Sequence, residues 1–183
     1  MLTAQFTRTL LKNKVLTVFT SLGLCTLSTF FFSPVVQADT PVPVQTIKAK
    51  IKPKLSIPIL LPSAFPSGRG RVYFKEKVNS QGYYINFMVT PNCQTKLCTH
   101  GRMSAETWGI STPPPPKSDP RNQYQTVVLA NGIEGQYYNG CDVYCTALVE
   151  WRYQNILYRV TLKNGSLEDL KAIANSAIQA GPR

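Results

Sequence analysis

The sequence predicts an α+β domain, with a mainly antiparallel sheet of about five or six strands and one C-terminal helix packed on it. Three observations point there. Short segments alternate apolar and polar residues with the period of a half-buried strand. Clusters of Pro, Gly and Asn separate those segments. The chain closes on an apolar stripe at helical spacing behind a capping sequence.

The elements follow in order. Ile57-Pro58-Ile59-Leu60-Leu61-Pro62 and Phe65-Pro66 are extended, because proline restricts the residue before it. Their apolar residues are expected to lie across the core. Val72 to Val78 reads as a strand, with its turn at Asn79-Ser80-Gln81-Gly82. Tyr83, Ile85, Phe87 and Val89 alternate through a second, which Pro91 ends. Glu106 to Thr112 is expected as a third. The proline run from Pro113, with Pro120, reads as a stiff spacer in polyproline form. Tyr124 to Ala130 is a fourth strand, Asn131-Gly132 a turn or bulge, and Ile133 to Tyr138 continues the sheet. Val149, Trp151 and Tyr153 form one arm of a hairpin, and Ile156, Tyr158, Val160 and Leu162 the other. Gln154-Asn155 supplies the two-residue turn. Ser166-Leu167-Glu168-Asp169 has the form of a capping box. Leu167, Leu170, Ile173, Ala174, Ala177 and Ile178 share one face of the helix, and Gly181-Pro182 suits its stop.

Ahead of this domain, taken as residues 57–181, stand two other segments. Residues 1–38 read as a signal peptide. Arg8, Lys12 and Lys14 form a basic head, Val15 to Phe32 carries no charge, and Val36-Gln37-Ala38 fits cleavage between Ala38 and Asp39. A retained anchor is the rival reading, since the apolar run is just long enough to span a bilayer. Cys25 reads as an apolar passenger, because Leu24 is too large for a lipoprotein site. Residues 39–56 read as a tether rich in proline and lysine. Lys48, Lys50, Lys52 and Lys54 would present four charges on one side of an extended chain. That strip is either a solvated linker or lysine-guarded edge, or a contact for an anionic surface.

Cleavage would leave 145 of the 183 residues, enough for a real core. It would remove three of the 20 basic residues and none of the nine acidic ones, leaving a net charge of +8. Such a charge on an exported protein points to anionic polymers or lipid head groups ahead of nucleic acid, or to no more than a soluble basic surface. No retained transmembrane helix is expected, and the location expected is periplasmic or secreted.

Four cysteines remain: Cys93, Cys98, Cys141 and Cys145. Zinc would need tighter spacings than C-x4-C and C-x3-C. An even count in an exported domain reads instead as two disulfides. Three pairings exist. The local one, Cys93–Cys98 with Cys141–Cys145, is favoured by the turn residues beside each pair. Cross-pairing stays open, because a meander would bring both loops and His100 to one end of the sheet.

The segments Leu129-Ala130-Asn131-Gly132-Ile133-Glu134-Gly135, Cys141-x3-Cys145, Trp151 to Val160 and Leu170 to Ile178 resemble a family of exported cyanobacterial proteins with no assigned function. The likeness runs from Ile57 to Ile178. The closing pattern is also similar to a domain of unknown function in the extracytoplasmic parts of anti-sigma-factor-like proteins. This chain lacks their sigma-binding region, so the resemblance carries over no signalling role and no catalytic residue.

His100 is the single histidine, so any triad would centre on it. No nucleophile elbow, metalloprotease helix, Walker loop or dinucleotide fingerprint is present. Glu168-Asp169 is explained by the helix start. Tyr83-Tyr84 and Tyr137-Tyr138 each place one ring on either face of a strand, as core on one side and as surface or a stacking platform on the other. The expected function is therefore a non-catalytic exported binding or interaction module of the cell envelope. Its partner would be an anionic envelope polymer or another envelope protein, with no cofactor, metal or catalytic residues. The alternatives are a structural envelope protein and a small hydrolase centred on His100.

Overall fold

Alternation of apolar and polar residues along seven segments builds the sheet. The computed structural model describes residues 39–66, 68–113, 122–141 and 144–183. The expected signal segment with its cleavage site, Cys25, and the proline run beyond Pro113 lie outside the described residues. The main strands are β3 (Tyr73–Asn79), β4 (Gly82–Met88), β5 (Thr99–Glu106), β6 (Gln123–Val128), β7 (Glu134–Cys141), β8 (Cys145–Tyr153) and β9 (Ile156–Lys163). Two short strands, β1 (Thr40–Pro41) and β2 (Ala64–Phe65), pair separately. The helices are α1 (Val44–Ile51) and α2 (Leu167–Ala180).

The seven strands are antiparallel in the order β3-β4-β5-β9-β8-β7-β6. One meander, β3-β4-β5, is joined along β5 and β9 to a second that runs β6-β7-β8-β9. Core-facing residues are Tyr83, Ile85 and Phe87 on β4, Met103 and Ala105 on β5, Ala147, Val149 and Trp151 on β8, and Tyr158, Val160 and Leu162 on β9. Helix α2 covers them with Leu170, Ile173, Ala174, Ala177 and Ile178. Ser166 caps it: its side chain accepts from Asp169 N while Asp169 answers at Ser166 N. The proline-bounded segment crosses the core as expected. Ile59, Leu60 and Leu61 are buried, and two core tyrosines hold the segment down. Tyr83 donates to Leu60 O at 2.9 Å and Tyr158 to Pro58 O at 2.7 Å. Burial pushes both phenols up from their ordinary value.

The fold is the α+β arrangement the sequence predicts, with seven strands rather than five or six. Two expectations are corrected. The third strand runs over Thr99–Glu106, not Glu106–Thr112. Gly101 lets β5 and β9 approach closely, since a Cβ there would stand 1.9 Å from Thr161 O. Residues 39–56 are not a tether. They supply β1 and α1, and Val44, Ile47 and Ile51 recur at helical spacing and are buried in the core.

A basic trough on the open face of the sheet

Both helices lie against the core side, so the other face of the sheet is left largely to polar residues, with Met88, Leu148 and Leu157 among them. Ladder register sets them in rows. Lys75, Asn86, Arg102 and Thr161 lie side by side across β3, β4, β5 and β9. Lys77, Tyr84, Ser104 and Arg159 form the next row. These rows floor a trough of about 620 Å³. Five basic side chains line it (Lys75, Lys77, Arg102, Arg159 and Lys163) against one acid, Glu106, among the described residues.

The cations differ in what they have left to give. Arg159 is fully engaged: Nε donates to Glu150 Oε2 at 3.0 Å, Nη1 to Glu106 Oε2 at 3.1 Å, and Nη2 to Ile110 O. Glu150, only 2% exposed, also accepts from Thr112 N and Oγ1, both at 2.9 Å. Arg152 donates to Gly109 O at 2.8 Å. These bonds hold Gly109, Ile110 and Thr112 against the sheet beside Glu150, Arg152 and Arg159. Lys163 lies over the Tyr144 ring, 5.1 Å from its centroid.

Arg102 is placed for a different purpose. Its Nε donates to Asn86 Oδ1 at 3.0 Å, and its guanidinium lies 4.6 Å from the centroid of Tyr84. Lys77 Nζ approaches the same ring at 6.0 Å. No ion pair engages Lys75, Lys77 or Arg102 among the described residues. A fixed guanidinium with its outer edge free, flanked by two lysines, is a preformed seat for an oxyanion. With two cations over it, Tyr84 acts as their platform and is not a bare stacking surface.

The cysteines lie at one end of the trough. Cys93 is bridged to Cys98 with Cα atoms 5.6 Å apart, and Cys141 to Cys145 with Cα atoms 3.9 Å apart. Both bridges are local. Cys93, Gln94 and Thr95 wall the trough on one side and Tyr144, between the second pair, walls it on the other. No group of His, Cys, Asp and Glu that could hold a metal is found among the described residues. His100 is near these loops in sequence but its ring turns to the core side, 6.3 Å from Phe65. Burial and the nearby charges of Arg69 and Lys163 push its pKa down. Its Nε2 is buried without a hydrogen-bond partner.

The four lysines singled out in the sequence do not form a strip. On a helix Lys48 and Lys50 stand about 200° apart. Lys50 pairs with Glu76 at 2.7 Å, and with Lys54 it borders a smaller hollow at the β3 edge. Sequence reading passed over Lys75, Lys77 and Arg102. The available signal was their alternation with Phe74, Val78 and Met103, which puts them on the face opposite the core.

No protein-family model, curated protein or solved structure matches this chain. No helix among the described residues is long and apolar enough to cross a membrane.

Proposed function

We propose that the chain is an exported, non-catalytic binding module whose trough takes an anionic polymer of the cell envelope. The observation that carries this reading is Arg102, held by Asn86 and Tyr84 beside Lys75 and Lys77, with no acid paired to the three among the described residues. The trough is open and elongated across strands, which suits a chain rather than a small enclosed ligand. Two disulfides shape its end, in keeping with an oxidising compartment outside the cytoplasm. Exposed cations bind weakly in salt, so affinity should come from several contacts made at once.

The test uses dextran sulfate and polygalacturonate as sulfate and carboxylate probes, titrated at low and high salt. Arg102→Gln combined with Lys75→Gln should weaken binding at least tenfold at low salt and leave the thermal transition unchanged. Lys48→Gln with Lys52→Gln, on α1 and at its C-cap, should bind as the parent does. The reading fails if the α1 pair loses binding and the trough pair keeps it.

A further inference from the structure

We propose that β6 is a dimerisation edge, joining two copies of this chain strand to strand about a two-fold axis at Thr126. The two sheets would then run as one, with β6 beside the partner's β6 at the centre.

Backbone parity leads to this register. Leu129 N donates to Ile133 O at 2.8 Å where the β6–β7 ladder closes. Bonded pairs alternate along an antiparallel ladder, so Val127, Gln125 and Gln123 bond to β7. The N–H and C=O groups of Tyr124, Thr126 and Val128 therefore point away from the sheet, along an edge that no strand covers among the described residues. A second β6 must meet those groups with the same three residues. Centring the pair on Thr126 places Tyr124 opposite the partner's Val128, Thr126 opposite the partner's Thr126, and Val128 opposite the partner's Tyr124. Aromatic with β-branched and Thr with Thr are favourable cross-strand pairs.

The side chains agree with the backbone. Val128 is 67% exposed and Tyr124 42%, two of the large apolar residues left open on the surface. Gln123–Val128 contains no charge and no proline, the usual guards of an edge strand. The other edge is guarded. β3 carries Lys75, Glu76 and Lys77, and self-pairing through its outward groups would set Glu76 against the partner's Glu76. Lys50 of α1 already reaches Glu76 across that edge. Growth therefore stops at two copies, a closed isologous pair rather than a fibre.

Directly paired residues of an antiparallel ladder point to the same side, so both troughs would open on one face of the joined sheet. The dimer itself does not depend on what the trough binds, because its mass is read without ligand.

The full chain, purified as the cell holds it, should give twice the monomer mass by light scattering at concentrations well above micromolar. Thr126→Cys should form an intermolecular disulfide on a non-reducing gel, whereas the parent, whose four cysteines after residue 38 are bridged within the chain, should not. Thr126→Lys puts like charges on the axis and should run as a single chain with an unchanged melting curve. Tyr124→Glu with Val128→Lys in the same chain should keep the dimer, through two opposite-charge pairs, and make it salt-sensitive. A parent that stays monomeric at every concentration overturns the proposal. So does a dimer indifferent to Thr126→Lys, or a different protein found seated on β6.

Discussion

Arg159 and Arg102 sit one row and one strand apart, yet their surroundings give them opposite duties. Arg159 is spent on Glu150, Glu106 and a backbone carbonyl, and the buried Glu150 needs every one of its partners because an unpaired carboxylate there would be costly. Arg102 gives Nε to a neutral amide and sits over a ring, which fixes it without neutralising it. A residue count from the sequence treats the two alike; only the ladder partners separate them. His100 shows the same dependence on surroundings. Burial, then Arg69 and Lys163, hold its pKa below the unfolded value of about 6.5. The unfolded chain thus takes up the proton first as pH falls. The contribution to stability is fully present above that value and is lost as pH drops through it. Urea unfolding followed from about pH 7.5 to 5.5 should show declining stability, and His100→Gln should flatten the decline. An equal decline in His100→Gln would place its cause elsewhere.

At the scale of elements, the strands and α2 were readable because period-two alternation and a capping box are local signals. The hairpin β8–β9 turns at Gln154-Asn155, both with positive φ, as its two-residue turn requires. Helix α1 was hidden. Its lysines alternate with apolar residues, and its flanking prolines suggest an extended chain, so the i, i+3/i+4 spacing of Val44, Ile47 and Ile51 was outweighed. The third strand was misplaced because Gly101 looks like a loop residue until β9 is known to press against it. Strand order was equally beyond local reading, since β5 meets β9 only through a contact more than fifty residues distant. If α1 belongs to the core, Ile47→Ala should cost about 2–4 kcal/mol in denaturant unfolding, as for other large-to-small core changes. A tether would lose almost nothing, so a change under about 0.5 kcal/mol would contradict the packing described for α1.

At the scale of the molecule, the helices take one face of the sheet and leave the other to the cations. The first disulfide loop and Tyr144, between the second pair of cysteines, wall one end of the trough. Short loops restrict the unfolded chain little, so each bridge contributes at most about 2 kcal/mol, and its larger effect is on the shape of the trough. The long-range charge of the protein, a formal +11 for the whole chain, draws anions from all sides. What distinguishes a built site from that general attraction is where the anion comes to rest. The most direct measurement is residue-resolved amide and side-chain NMR of the chain titrated with dextran sulfate. Shifts should concentrate at Lys75, Lys77, Tyr84, Asn86, Arg102 and Ser104, with the Arg102 Nε–H signal kept throughout by its bond to Asn86. Shifts spread evenly over every surface lysine, or centred on Lys48, Lys50, Lys52 and Lys54, would contradict a binding site in the trough.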